Sequence, residues 1–241
     1  ALMAGGGFFP LPLREENDYL VDFEEIPASI AAKSALLWLN YPNNPTGAAA
    51  PKEFLARAVE FAREFDILIC YDNPYCDITF DGYVAPSILE IPGAIQVAVE
   101  FNSLSKSYNM AGWRVGMAVG NPQAIEALTT IKTNIDSGIF RPIQDAATVA
   151  LNGDQSWLLE RNLIYQRRRD IVLGWLPRLG MSARAPKGAL YVWAKVPPGT
   201  NCEQLALQLL ETTGVSLTPG TAFGQYGDGY MRISLCLSEE R

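Results

Sequence analysis

The order of apolar and polar residues predicts a sheet with helical crossovers in the first half of the chain. Mostly apolar runs at 35–39, 67–70, 95–101 and 115–119 predict four buried strands. Between the first two runs, from Pro51 onwards, apolar residues recur every three or four positions, which predicts an amphipathic helix. A strand, a helix and a strand at this spacing form a βαβ unit, so we expect a mainly parallel sheet.

The second half of the chain has a different pattern. Helical periodicity predicts helices at 122–133 and 142–152 and a long helix within 154–179. After Ser182 the pattern changes to shorter elements. These are predicted strands at 188–196, 215–217 and 230–237 and a predicted helix at 202–213.

Together these elements predict an α/β protein with two domains. We expect a large domain over 1–152, a connecting long helix over 153–180, and a smaller α+β domain over 181–241. No internal repeat is visible in the sequence.

Composition excludes several classes of protein. The chain has 241 residues, 49% of them hydrophobic, which is enough to form a substantial core. Its net charge of −7 argues against nucleic-acid binding, which requires a basic surface. The complete absence of histidine excludes serine and cysteine hydrolases with a histidine base, and also histidine-ligated metal sites. The remaining chemistry must use lysine, carboxylates, tyrosine, cysteine or a cofactor, and we expect no metal.

Cysteine usage and hydropathy predict a cytoplasmic protein. The four cysteines contain no CxxC pair, which is typical of free thiols in a reducing compartment. The sequence shows no secretory signal pattern and no apolar run of about 18 residues, so we expect no membrane association.

Polar residues follow the ends of the predicted strands. Asn43 and Asn44 follow the first strand, Asp72 and Tyr75 the second, and the segment 103–106 the third. Because the carboxyl ends of parallel strands meet at one edge of a sheet, where ligands bind, we expect these residues to form a site.

The sequence allows two interpretations of Lys106. It is either an exposed surface charge, as most lysines are, or a partly desolvated amine that forms a Schiff base with a carbonyl group. The nearby hydroxyls of Ser103 and Ser105 and the guanidinium of Arg114 would suit a phosphate group in the second case.

The sequence also allows two interpretations each for Asp72 and Tyr75. Asp72 is either a turn or helix-cap residue, or a buried carboxylate that keeps a pyridine nitrogen protonated. Tyr75 is either an ordinary half-buried tyrosine or a hydrogen-bond donor to a ring oxygen.

Two basic features remain open on the sequence alone. Arg232 lies within an apolar strand, where it must pair with either a protein carboxylate or the carboxylate of a ligand. The triplet at 167–169 indicates a solvated helix face or an interface charge, with phosphate binding as the alternative.

Four segments taken together resemble a known family. They are YPNNPTG at 41–47, YDNPY at 71–75, SLSK at 103–106 followed by GWRVG at 112–116, and YMRIS at 230–234. In this order and spacing they resemble the class I/II aminotransferases, pyridoxal-phosphate enzymes of fold type I. The resemblance covers nearly the whole chain, and it implies a parallel cofactor-binding sheet with a smaller C-terminal domain.

The resemblance implies roles around the cofactor ring. Lys106 would hold pyridoxal 5′-phosphate as a Schiff base and shuttle a proton during catalysis. Asp72 would pair with the ring nitrogen, while Asn44 and Tyr75 would donate hydrogen bonds to the phenolic oxygen.

Further roles follow for the phosphate and the substrate. Ser103, Ser105 and Arg114 would hold the phosphate group. Arg232, with Asn44 beside it, would bind the α-carboxylate of the substrate.

Within the family, the sequence is most similar to LL-diaminopimelate aminotransferases and aspartate-aminotransferase-like enzymes. The segments that carry this similarity are LPL at 11–13, FNSLSK at 101–106, NIDSGIF at 134–140 and GVSLTPG at 214–220. This implies transfer of an amino group between diaminopimelate or a dicarboxylic amino acid and a 2-oxo acid, in lysine biosynthesis. Two alternatives share the same motifs: a C–S lyase or decarboxylase of the same fold, and a catalytically incompetent fragment or regulatory domain.

The chain departs from the family in length. Family members are much longer, so we expect this sequence to lack an N-terminal part and the last helix of the small domain. The absent part would include a glycine-rich phosphate turn and an aromatic residue that stacks on the cofactor ring. The resemblance also implies a homodimeric parent protein.

Overall fold

A computed structural model of the protein describes residues 1–238, and its strands form two separate sheets. The strands are β1 Leu36–Asn40, β2 Leu68–Asp72, β3 Ala98–Ser103, β4 Gly116–Gly120, β5 Tyr191–Lys195, β6 Thr218–Pro219 and β7 Tyr230–Ser234. The α-helices are α1 Ala28–Ala31, α2 Lys52–Phe65, α3 Leu104–Ser107, α4 Pro122–Ile135, α5 Arg141–Asn152, α6 Ser156–Trp175 and α7 Cys202–Thr213.

Short 3-10 turns connect many of these elements. They are Leu2–Ala4, Glu15–Asn17, Phe23–Glu25, Ile88–Glu90, Ala94–Gln96, Ala111–Trp113, Leu176–Leu179, Gly220–Phe223 and Gln225–Gly227.

The first sheet has the order β1-β2-β3-β4. β1, β2 and β3 are parallel, and β4 runs antiparallel to β3. The prediction of a mainly parallel sheet is therefore confirmed. Parallel alignment places the carboxyl ends of three strands at one edge, where Asn44, Asp72 and the segment 103–106 end or follow these strands.

Helix α2 provides the main core of the first sheet. Its apolar face buries Leu55 and Ala58 completely, against Leu39 of β1 and Ile69 of β2. Glu53 lies in the first turn and Arg63 in the last, so both charges suit the helix dipole. The periodicity seen in the sequence thus corresponds to a helix that fixes the β1–β2 pair.

The strands of the first sheet are not buried throughout. Leu36 and Trp38 of β1 are 51% and 60% exposed, on the face of the sheet opposite Leu39. Met117 and Val119 of the edge strand β4 are 40% and 53% exposed, on the same face as Leu39. The prediction of fully buried strands is therefore wrong for β1 and β4.

The second sheet has the order β5-β7-β6 and is antiparallel. Its core contains Val192 of β5 and Met231 of β7. It also contains Ile78 and Phe80, which belong to the segment that follows β2. This segment therefore leaves the first sheet and packs against the second.

Two strand predictions are corrected by the structure. The strand predicted at 215–217 is wrong, and the observed strand β6 covers only Thr218–Pro219. Proline has no N–H to continue a ladder, and Gly220 already begins a 3-10 turn. The strand predicted at 95–101 begins later, at Ala98, because residues Ala94–Gln96 form a 3-10 turn.

The arginine triplet is only partly solvated. Arg169 is 4% exposed and forms an ion pair with Asp81 at 2.5 Å. Arg168 donates to the carbonyl of Leu235 at 3.1 Å. These residues join α6 to the loop after β2 and to the end of β7, so the expectation of a solvated helix face is wrong for Arg169.

The division of the chain into domains at 152 and 180 stays a prediction, and its last residues, 239–241, lie outside the described part. Within that part, no helix combines the length and apolarity needed to cross a bilayer.

Leu55→Ala should lower the free energy of unfolding by about 2–5 kcal/mol, because it leaves a cavity between α2 and the sheet. Urea denaturation followed by circular dichroism measures the change. The matched control is Leu207→Ala in α7, where the side chain is 55% exposed, and we expect a change within about 0.5 kcal/mol. Equal losses in both variants would contradict this description of the core.

Candidate active site

The carboxyl ends of β1, β2 and β3 lie side by side. The register aligns Asn40 with Asp72 and Asp72 with Phe101. Asp72 is thus the last residue of the central strand of the three. Ser103 ends β3, and α3 follows it directly.

Asn40 connects two of the motifs at this edge. Its Nδ2 donates to the Asp72 carbonyl at 2.8 Å and to Asp72 Oδ2 at 3.4 Å. Its Oδ1 accepts from the backbone N–H of Asn44 at 2.8 Å. Asn40 was not identified from the sequence. A polar residue that ends a parallel strand was the available signal.

The Asp72 carboxylate is half-buried, and no cation forms an ion pair with it among residues 1–238. Burial raises the pKa of this carboxyl above its ordinary value. The negative charge is therefore held at a cost that a nearby positive charge would reduce.

A second buried carboxylate supports the loop after Asp72. Glu100 is 9% exposed and accepts from Asn73 Nδ2 at 2.9 Å, from Ser87 Oγ at 2.5 Å and from the Ile88 N–H at 3.0 Å. Asn73 Oδ1 has no hydrogen-bond partner within the described part of the chain. Sequence reasoning missed Glu100, although an acidic residue inside an apolar run was a signal for it.

Tyr75 lies in the turn after β2 and is 4% exposed. Its hydroxyl is 3.5 Å from that of Tyr191. Burial is the main cause that raises the Tyr75 pKa, Tyr191 and Asp72 raise it further, and Arg232 lowers it. The phenol therefore stays protonated at neutral pH and can donate a hydrogen bond, with Asp72 and Arg232 close enough to influence it.

Lys106 lies on the four-residue helix α3. Ser103 caps this helix, since its Oγ accepts from the Ser105 N–H at 3.1 Å. Lys106 is half-buried, and its Nζ has no hydrogen-bond or ion-pair partner among residues 1–238. The amine thus lies at the sheet edge without a carboxylate partner among residues 1–238.

Arg161 of α6 holds the end of this short helix. It donates to the Ser107 carbonyl and, at 2.7 Å, to the Asp77 carbonyl. Arg161 is 7% exposed, and burial lowers its pKa. It fixes the turn that carries Lys106, a role that sequence reasoning missed because no local pattern identifies its partners.

Arg114 is placed differently from the other expected residues. It is exposed, has a left-handed backbone with φ of 55°, and donates to the Ala111 carbonyl at 2.9 Å. Within residues 1–238 no hydrogen bond joins it to Ser103 or Ser105. Direct contacts therefore do not join Arg114 to the two serines expected to bind phosphate with it.

Arg232 reaches across from the second sheet to the first. Its Nη1 donates to Asn44 Oδ1 at 2.9 Å and its Nη2 to Thr218 Oγ1 at 3.4 Å. The guanidinium carbon lies 4.3 Å from the ring centre of Tyr191 and 4.7 Å from that of Phe223. Among the described residues, no carboxylate forms an ion pair with it.

The contact with Arg232 also fixes the orientation of the Asn44 amide. A guanidinium only donates, so Oδ1 of Asn44 must face it. The Nδ2 group of Asn44 then remains as a donor. Residues 1–238 contain no group of three His, Cys, Asp or Glu side chains placed to hold a metal ion.

Comparison with known proteins extends these observations. The family model for aminotransferase class I and II matches residues 1–241. The LL-diaminopimelate aminotransferase of Dehalococcoides mccartyi is 49% identical over 239 residues, which cover 99% of this chain and 62% of that protein. That of Moorella thermoacetica is also 49% identical, over 100% of this chain and 62% of that protein.

Solved structures show the same similarity. Substrate-bound BacF from Bacillus subtilis superposes with a TM-score of 0.94 at 40% identity, covering 99% of this chain and 61% of that one. Aspartate aminotransferase from Thermotoga maritima superposes with a TM-score of 0.90 at 29% identity, covering 99% of this chain and 62% of that one.

The chain thus spans about three-fifths of the length of the curated relatives it matches. The match extends over the whole of this chain and includes all four motif segments. The chain therefore belongs to the class I and II aminotransferases, a family of pyridoxal-phosphate-dependent enzymes.

Proposed function

We propose that the protein to which this chain belongs is an aminotransferase that moves an amino group between diaminopimelate or a dicarboxylic amino acid and a 2-oxo acid. The observation that carries the proposal is Arg232. Its guanidinium is fixed by two aromatic rings and by neutral oxygens, without an ion pair to any described carboxylate. Such a group suits the carboxylate of an amino acid or an oxo acid.

The names of the relatives support an amino acid as the class of substrate. Proteins nearly half identical to this chain are LL-diaminopimelate aminotransferases, and pyridoxal 5′-phosphate is the cofactor of the family. We also infer a cytoplasmic homodimer from the family resemblance and from the unpaired cysteines.

The residues present fit the ring of the cofactor. The half-buried Asp72 carboxylate has no cation beside it among residues 1–238 and suits a protonated ring nitrogen. Tyr75 and the free Nδ2 of Asn44 are donors suited to the phenolic oxygen. Lys106 is the amine that would hold the aldehyde carbon, while Ser103, Ser105 and Arg114 would hold the phosphate.

When bound, pyridoxal 5′-phosphate would accept the electron pair left at the substrate Cα when the proton there is removed. Arg232 binds the substrate carboxylate and thereby orients the Cα–H bond. The substrate amine would replace Lys106 at the aldehyde carbon, and the freed Lys106 Nζ would then take the Cα proton and return it to that carbon. Lysine suits both steps because its amine has no competing partner among residues 1–238.

The products of the reaction test this function. With glutamate and cofactor, the protein should form 2-oxoglutarate and pass the amino group to an added 2-oxo acid without releasing ammonia. Lys106→Ala should lower the rate by at least about 10³-fold, since it removes the proton carrier. Lys195→Ala, a lysine on β5, is the matched control. Ammonia release from a β-substituted amino acid would instead indicate a lyase.

The burial of Asp72 predicts a pH-dependent stability. Its pKa is higher in the folded protein than in the unfolded chain, so the fold favours the neutral carboxyl. The contribution of Asp72 to the free energy of unfolding is therefore fully present below the unfolded-state pKa. It is lost as the pH rises through the folded-state pKa. Asp72→Asn should therefore raise the free energy of unfolding of the cofactor-free protein at about pH 7. The gain should shrink as the pH falls towards about 4.

Urea denaturation at several pH values measures this difference, and Asp66→Asn, at an exposed aspartate, is the control. Added cofactor should reverse the order, because the carboxylate then gains a cationic partner. A cofactor-free Asp72→Asn variant that is less stable at neutral pH would contradict the assigned burial cost.

A further inference from the structure

Two tyrosine hydroxyls from different parts of the fold meet at the site. The Tyr75 and Tyr191 hydroxyl oxygens are 3.5 Å apart, and the rings are edge to face with centroids separated by 6.1 Å. Tyr191 provides the one hydrogen-bond partner of the Tyr75 hydroxyl among residues 1–238. Tyr191 was not identified from the sequence.

The backbone brings these residues together by a tight contact between two segments. Thr79 and Gly188 form an antiparallel bridge, and the Ala189 N–H donates to the Ile78 carbonyl at 3.0 Å. A Cβ at Gly188 would lie 2.9 Å from the Ile78 carbonyl oxygen, so the approach requires glycine. Tyr75 and Tyr191 lie just outside this bridge, one on each segment, so the bridge brings their backbones close together.

The ring of Tyr191 has a second contact, with Arg232. The guanidinium carbon lies 4.3 Å from the ring centre, and the Phe223 ring contacts the same group. A cation over an aromatic face is attracted to it without losing its donors to a neutral partner. The stacked guanidinium therefore keeps available for a carboxylate those N–H groups that do not donate to Asn44 or Thr218.

The direction of the phenol hydrogen bond follows from the proposed role of Tyr75. If the Tyr75 hydrogen is donated to the cofactor oxygen, its own oxygen can only accept from Tyr191. A phenol that accepts one hydrogen bond donates a stronger one, because the two bonds polarise each other.

We propose that Tyr191 is a positioning residue with two separable parts: its hydroxyl donates to Tyr75, and its ring supports Arg232 against the substrate carboxylate. One side chain would then link the cofactor-facing phenol to the carboxylate-binding guanidinium. This inference rests on the proposed function.

The two parts are tested with Tyr191→Phe, which removes only the hydroxyl, and Tyr191→Leu, which also removes the ring. The first readout is the pH titration of the visible absorption of the bound cofactor. Asp72 and Arg232 are the charged side chains that influence the Tyr75 hydroxyl, and both remain in all variants. The second readout is the split between KM and kcat with glutamate.

In Tyr191→Phe the pH midpoint of the change in cofactor absorption should rise by about 0.5 unit. The reason is that the phenolic oxygen of the cofactor then accepts a weaker hydrogen bond from Tyr75. Its KM for glutamate should stay within about twofold. Tyr191→Leu should show the same rise and also a KM about tenfold higher, since the guanidinium loses its support. Tyr83→Phe, which removes a phenol bonded to the Ala50 carbonyl, should change neither quantity.

An unchanged midpoint in Tyr191→Phe, while Tyr75→Phe shifts it, would overturn the role of the hydroxyl. Equal KM values for Tyr191→Phe and Tyr191→Leu would overturn the role of the ring. If the visible band does not depend on Lys106, the proposed function fails and this inference fails with it. The three results are distinguishable. If Tyr191→Leu does not fold, the role of the hydroxyl is still tested by Tyr191→Phe, which nearly conserves the packing volume.

Discussion

The hydrogen bond from Arg232 to Asn44 is the contact on which the site depends. It joins the second sheet to the edge of the first at 2.9 Å, and it does so without neutralising the guanidinium. A partly buried cation without a counterion is costly, and here aromatic rings and neutral oxygens offset only part of that cost. The carboxylate that we propose as the ligand of Arg232 would offset the rest of this cost.

The same principle applies at the other end of the site with the opposite sign. The Asp72 carboxylate is held by strand register and by the Asn40 amide, with no cation beside it within the described part of the chain. Burial raises its pKa, and a positive charge beside it would reduce the cost of holding the negative charge. Arg232 and Asp72 thus provide two opposite charges, neither with an ion-pair partner among residues 1–238.

The sequence predicted the parts of the site that depend on local pattern. Asp72 and Lys106 follow apolar runs, and polar residues after parallel strands collect at one edge whatever the details of packing. Asn40, Arg161, Glu100 and Tyr191 were missed because their roles depend on which distant atoms they contact. The strand predicted at 215–217 failed for a similar reason, since strand length there is set by pairing with β7. The open question of whether Arg232 binds a protein carboxylate also required the fold.

The most direct test of the central claim is the KM for glutamate in Arg232→Lys. A point-charge ammonium cannot reproduce the stacked, forked contact, so KM should rise by roughly 10–100-fold while the absorption of the bound cofactor is retained. Arg178→Lys, in a guanidinium that stacks on Trp175 near the end of α6, serves as the matched control. A KM unchanged in Arg232→Lys would show that the substrate carboxylate binds elsewhere, and would contradict the assignment of the site.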